Sequence, residues 1–232
     1  MNPALRCSSA HVFVESIEHP ALTNEDDHHL CRVLRLRHNE AVSVSDGAGR
    51  WRLCRIDAVG GLQADGAVER VPSANPPVAV GFALPKGDRP EWIVQKLTEI
   101  GVDRIIVLYA DRNVARWDAS KTDRQMDRLR RIAREASMQS RRVVLPDLIG
   151  PLSIADLVRS EPGAAFAEPG GDRISLAHPT VLIGPEGGWT PTEMAAAQHT
   201  VALGSTILRV DTAAVVAGAQ LAALRDHLST LR

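Results

Sequence analysis

Aromatic side chains are nearly missing from this chain, at 3% of 232 residues. A core must therefore be built from Val, Leu, Ile and Ala, and the 44% hydrophobic content is enough to supply one. Cysteine is also scarce. Cys7, Cys31 and Cys54 are odd in number and form no Cys-x-x-Cys pair, which excludes a disulfide framework and a cysteine zinc site. His28-His29 has no matching cluster of Cys, Asp or Glu, so no metal is expected. No run is apolar enough to span a bilayer and the N-terminus has no signal core, so the expectation is a soluble cytoplasmic protein without a membrane partner. Charge of one sign is absent as well. The net charge of −1 leaves any nucleic-acid role to local patches.

What is present falls into two patterns. Up to about residue 72 the chain reads as β-rich. Val12-Phe13-Val14 is a short strand, and Asn24 to Arg37 a short helix. Ala41–Ser45 and Arg50–Ile56 alternate on either side of Asp46-Gly-Ala-Gly49, a hairpin signal with Val42, Val44, Trp51, Leu53 and Ile56 as inward candidates. Three prolines between Glu69 and Val78 mark a linker. From residue 76 strands and helices alternate, which predicts a parallel α/β sheet. The strands are Val78–Leu84, Arg104–Tyr109, Ala164–Ala167, Val181–Ile183 and Val201–Leu203. The helices are Asp88–Ile100, Ser120–Gln139 and Thr212–Leu231, with Asp88 and Glu91 as a capping pair for the first. The second carries an apolar stripe of Met126, Leu129, Ala133 and Ala136.

The chemistry concentrates in two loops. Thr180-Val-Leu-Ile-Gly-Pro-Glu-Gly-Gly-Trp-Thr-Pro-Thr-Glu193 is an apolar run, a glycine loop and a helix start, with Thr190 as cap, Pro191 at the first helical position and Glu193 completing a capping box. Gly184, Gly187 and Gly188 let backbone pass close to a ligand. No Gly-Lys-Ser/Thr and no Gly-x-Gly-x-x-Gly follows, so neither a phosphate loop nor a dinucleotide fingerprint is present. Leu203-Gly-Ser-Thr-Ile-Leu-Arg-Val-Asp211 is a second strand, turn and helix start, with Asp211 or Thr212 as cap. Each loop alone could be a plain βα turn; together at neighbouring strand ends they would form one crevice for a nucleotide-like ligand. Arg209 sits beside a helix N-terminus, the end that disfavours cations, which suggests that it holds an anionic group. Between Arg112 and Arg142 ten basic residues face four acidic ones, and Arg124, Arg128 and Arg131 share a helix face. This pattern fits a phosphate-binding patch. No nucleophile elbow and no paired-carboxylate spacing occurs.

These residues bring the chain close to a known family. Leu182-Ile-Gly-Pro-Glu-Gly-Gly-Trp-Thr190 with Leu203-Gly-x-x-Ile-Leu-Arg-x-Asp-Thr-Ala213 resembles the RsmE family, 16S ribosomal RNA uracil-N3 methyltransferases of the SPOUT superfamily. Lys86-Gly-Asp-Arg89 with Lys96-x-Thr-Glu-Ile-Gly101, Asp111-Arg112, Glu135-Ala-x-x-Gln-Ser-x-Arg142, His28-His-x-x-x-Val-Leu-Arg35 and Asp46-Gly-x-Gly49 extend the likeness over almost the whole chain. Met138 and Asp211 stand where the family has glutamate, and His38-Asn39-Glu40 replaces a glycine and acidic pair. The resemblance implies a PUA-like RNA-binding β-barrel over 1–72 and a trefoil-knotted α/β methyltransferase domain over 76–232. It also implies a homodimer with a shared active site, and 16S ribosomal RNA of the small subunit as substrate. S-adenosylmethionine (SAM) would be cradled by Leu182, Ile183, Gly184, Pro185, Gly187 and Gly188 on one side and Leu203, Gly204, Ile207, Leu208 and Arg209 on the other. Arg209 would be catalytic, with Glu186 and Asp211 as weaker candidates for taking the proton or orienting Arg209. Arg32, Arg35, Arg112, Arg124, Arg128, Arg131 and Arg142 would grip RNA.

Overall fold

In the computed structural model, which describes residues 2–230, the chain divides into two compact units. One comprises the described residues up to Ser73 together with Arg134–Leu145; the other comprises Ala74–Ala133 and the described residues from Pro146 on. Met1, Leu231 and Arg232, at the ends of the expected domains and of the expected last helix, lie outside the described residues.

The first unit opens with α1 (Pro3–Cys7) and builds a five-stranded sheet. Strand β1 (Ala10–Phe13) runs parallel to β2 (Ala41–Ser45), and β2 pairs antiparallel with β3 (Arg50–Ile56). Two short strands, β4 (Leu62–Ala64) and β5 (Glu69–Arg70), both pair with β3. The expected helix after β1 is α2 (Asn24–Asp27), continued by a π-helical turn over His28–Val33. The hairpin register corrects one expectation. Val42, Val44, Cys54 and Ile56 share a buried cluster, whereas Trp51 packs with Leu5 and Val143 and Leu53 is only half-buried. Residues 51 and 53 have the opposite parity to 54 and 56, so a pleated strand cannot send both sets to one face.

The segment Arg134–Leu145 is part of this unit by several bonds. Arg134 pairs with the buried Asp26 at 2.9 Å, Arg141 donates to the Ser8 carbonyl at 2.9 Å, and Ser45 donates to the Val143 carbonyl at 2.7 Å. Arg141 is held at a φ of 60°. Its guanidinium lies on carbonyls of Met138, Ser8 and Ser9, which offset its burial.

In the second unit the strands are β6 (Ala79–Ala83), β7 (Arg104–Tyr109), β8 (Asp147–Ser153), β9 (Ala165–Arg173), β10 (Thr180–Ile183) and β11 (His199–Ala202). They form one fully parallel sheet in the order β11-β9-β10-β6-β7-β8. Both faces are covered, which is why the strands read as continuous apolar runs. Val80, Phe82, Ile105, Val107 and Val181 pack on one side with α3 (Arg89–Ile100), α4 (Ala119–Ser140) and α7 (Val210–Thr230). Ala79, Ala83, Ile106, Leu108 and Leu182 pack on the other with α5 (Ile154–Ser160) and α6 (Pro191–Ala196). The alanine content of α7 has a steric cause. A Cβ on Gly218 would lie 2.7 Å from Leu97 of α3, so only small residues allow the two helices to meet.

Several boundaries differ from expectation. Strand β8 and helix α5 add to the expected elements: Gly150-Pro151 in β8 reads as a turn, but β8 is the edge strand, where proline is tolerated. Asp88 stands at the N-cap of α3 without a side-chain cap bond, and Glu91 pairs with Arg128 instead. Helix α7 starts at Val210, which puts Asp211 inside its first turn.

His11 carries a pH dependence. It is buried in the first unit with Nδ1 2.8 Å from Ser43 Oγ, and burial, aided by the nearby Arg141 charge, pushes its pKa down from 6.5 to about 4. The unfolded chain binds this proton below pH 6.5 and the folded chain refuses it until about pH 4. The stabilisation is therefore complete above pH 6.5 and is lost as pH falls between those values, by about 3 kcal/mol. Urea titrations at pH 7 and pH 4.5 should show a smaller acid loss for His11→Gln than for the parent; equal losses would refute the assignment.

Candidate active site

The strand order reverses between β6 and β10. Strand β6 connects through α3 to β7 on one side, and β10 connects through α6 to β11 beyond β9 on the other. In open α/β sheets the crevice outside the C-terminal strand ends at such a point is where ligands bind. The loops that emerge along that edge are Pro85–Asp88, Ala110–Trp117, Gly184–Thr190 and Leu203–Arg209; the two expected loops share one edge of one sheet, but not from neighbouring strands, because β9 lies between β10 and β11.

The three glycines of the 184–188 loop serve three separate ends. A Cβ on Gly184 would lie 2.9 Å from the Trp189 ring, so this glycine makes room for the indole. Gly188 has a φ of 69° and closes a turn by donating to the Pro185 carbonyl at 2.8 Å. Gly187 lies against Arg112. Trp189 packs against Phe166 with the rings tilted by 57° and their centroids 4.8 Å apart, and donates its Nε1–H to the Ala167 carbonyl at 3.2 Å, which pins the loop to β9. In a chain so poor in aromatics, a tryptophan directly after the glycines was the available signal of this packing role.

A buried carboxylate ties the loop to its neighbour. Glu193, 6% exposed, accepts from Thr190 N at 2.8 Å and from Asp111 N at 2.9 Å. The first bond, with Thr190 Oγ1 accepting from Glu193 N, is the expected capping box; the second joins β10's loop to β7's. Arg112 answers from the other side, donating to the Gly187 and Trp189 carbonyls at 2.9 and 3.2 Å. Asn113 Nδ2 donates to the Leu84 and Leu108 carbonyls, both at 3.3 Å, and joins the ends of β6 and β7.

The other expected site residues separate into groups. Leu182 and Ile183 are buried strand residues and Pro185 is buried beside them. Leu203 and Leu208 lie half-buried against the core, Gly204 is exposed, and Ile207 is 90% exposed. Arg209 is exposed at the start of α7, where its carbonyl accepts from Ala213 N, and its Nε lies 3.9 Å from Asp211. Glu186 is turned toward the β6 loop, bonded to Arg89 at 3.0 Å, so the structure joins Asp211 but not Glu186 to Arg209. Among the expected RNA contacts, Arg32, Arg35, Arg124 and Arg131 are exposed, and Arg128 pairs with Glu91 at 2.9 Å. Arg112 is occupied by loop carbonyls, and Arg142 donates to the Val144 carbonyl within the first unit. Among the described residues no group of three His, Cys, Asp or Glu could hold a metal ion, and no helix is long and apolar enough to cross a membrane.

Residues 72–222 match the family model of an RNA methyltransferase domain, and residues 22–68 match that of an RNA methyltransferase PUA domain. The chain is 36% identical to "Ribosomal RNA small subunit methyltransferase E" of Mycobacterium bovis, over 83% of this chain and 82% of the relative. The protein of the same name from Bacillus subtilis is 29% identical over 85% and 87%. A crystal structure of ribosomal RNA small subunit methyltransferase E from Neisseria gonorrhoeae, bound to S-adenosyl methionine, superposes with a TM-score of 0.77 at 24% identity, covering 93% of this chain and 97% of that one.

The Glu193 bonds set an expected cost. Glu193→Ala leaves two loop N–H groups without acceptors and should lose about 2–4 kcal/mol; Gly184→Ala, which pushes on the Trp189 ring, should lose about 1–3 kcal/mol. Urea unfolding checks both, and a change below 0.5 kcal/mol, roughly that of an ordinary surface substitution, would contradict the roles given.

Proposed function

Because the chain belongs to the ribosomal RNA small subunit methyltransferase E family, we propose that it methylates N3 of a uridine in 16S ribosomal RNA, with SAM as methyl donor. The observation that carries this reading is that the Gly184–Gly188 and Leu203–Arg209 loops leave the same edge of one parallel sheet, the first of them at its switch point. The residues fit such a cofactor. The loop offers backbone groups and no lysine, in keeping with a ligand that has no phosphate, and Leu203 and Leu208 offer apolar surface for an adenine. Bound SAM supplies an electrophilic methyl on a sulfonium.

The protein must hold the base in line with that methyl and ease loss of the N3 proton. Arg209 serves the second task in this reading. Its guanidinium is exposed, and its nearest carboxylate stands 3.9 Å away, so it can turn to the uracil oxygens and stabilise the charge that develops there. Asp211 orients it. The target base leaves its stack to reach the crevice, while Arg124 and Arg131 on the exposed face of α4, with Arg32 and Arg35 in the first unit, hold RNA phosphates. A second copy of the chain and a cytoplasmic location belong to the same reading. Ile207, Trp92 of α3, and Leu224 and Leu228 of α7 leave apolar surface for that copy to cover.

Nucleoside analysis of small-subunit RNA incubated with enzyme and SAM should show N3-methyluridine, and its absence would reject the reading. Arg209→Ala should lower kcat by about 100-fold or more; full activity would remove Arg209 from the mechanism. Removing Arg124, Arg128 and Arg131 together should make RNA binding less salt-dependent by about two to three units of log–log slope. An unchanged slope would clear that face of a role.

A further inference from the structure

Strand β9 is broken in a way that a plain edge-to-centre strand need not be. Ala165 and Phe166 pair with His199 and Thr200 of β11, but the next β11 residue, Val201, pairs with Asp172. Five residues, 167 to 171, are therefore looped out of the ladder between its two pairs of partners. Such bulges re-aim side chains and recur beside functional sites. This one is held at both ends. The Ala167 carbonyl takes the Trp189 indole N–H, and Gly171 is packed so tightly that a Cβ there would lie 2.7 Å from Val201 N.

The bulge carries Glu168. On the other side of β9, Ala165 pairs with Val181 and Phe166 with Leu182 of β10. The next residue, Ala167, takes the indole N–H of Trp189, which itself lies against Gly184, so Glu168 directly follows the residue that meets the glycine loop. The carboxylate is half-buried, and among the described residues it has no hydrogen bond and no ion pair. Four other carboxylates at this edge are engaged. Glu193 bonds Asp111 N and Thr190 N, Glu186 bonds Arg89, Asp111 receives the Thr190 hydroxyl, and Asp211 receives Thr212 N. Half-burying a carboxylate without a partner is unfavourable, and a bound ligand with hydroxyl donors removes the penalty.

We propose that Glu168 accepts hydrogen bonds from the ribose diol of the adenosyl cofactor. The placement matches a general device of α/β nucleotide sites, in which an acid at the C-terminal end of the strand beside the glycine-loop strand takes a ribose hydroxyl. Here β9 is that neighbour of β10. The proposal rests on the SAM reading above. It makes Glu168 a cofactor-binding residue and leaves proton transfer to other groups.

Calorimetry with S-adenosylhomocysteine and with its 2′,3′-dideoxy analogue tests it. Glu168→Ala should raise Kd for S-adenosylhomocysteine by about 10- to 100-fold, and Glu168→Gln by less, since an amide oxygen still accepts. The dideoxy analogue should bind parent and variants alike, and kcat at saturating SAM should stay within about threefold of the parent. An unchanged Kd overturns the assignment, as does an equal loss for both ligands. A fall in kcat of about 100-fold with Kd intact also overturns it, in favour of a proton-accepting role. Parent protein that binds neither ligand would instead defeat the cofactor reading, and the Glu168 assignment with it.

Discussion

The Glu193 carboxylate is the bond on which the crevice depends. A buried ionised group is tolerable only when its oxygens are filled, and here the donors that fill them come from two loops. One belongs to its own helix start, at Thr190; the other, Asp111 N, belongs to the loop after β7. The same group that terminates the glycine loop therefore fixes the distance from that loop to the neighbouring strand's. Arg112 reinforces the link by donating to carbonyls of the glycine loop, and Trp189 joins it to β9. That edge of the sheet is thereby tied across β7, β10 and β9.

This arrangement changes the meaning of the glycines. Read as sequence, Gly184-Pro-Glu-Gly-Gly188 is a loop made permissive for a ligand. In three dimensions Gly184 yields space to an indole, Gly188 supplies a left-handed turn residue and Gly187 meets Arg112. The loop's shape is set by the protein's own packing, and the ligand inherits it.

Much was legible because it is local. The capping box at Thr190 and Glu193, the stop at Gly101, the alternation of β2 and β3 and the stripe of α4 are all decided by neighbours within a few residues. The failures share a cause. Alternation gives two faces without saying which cluster each meets: Trp51 is buried, but in a second small cluster with Leu5 and Val143, and Leu53 is only half-buried. Strand β8 was lost because glycine and proline signal a turn unless the strand is known to be at an edge. Arg112 and Arg142 were read as part of a basic patch, and only the fold shows them bonded to carbonyls.

The sequence by itself determined the type and order of most elements, the family, and the two loops that flank the crevice, since each is written in short-range pattern or in an ordered set of motifs. Tertiary structure alone decided the strand order β11-β9-β10-β6-β7-β8, the incorporation of Arg134–Leu145 into the first unit, and the bonding of Glu193 to the loop after β7. Those features depend on contacts between residues tens of positions apart, and no local propensity encodes which distant backbone group a side chain will meet.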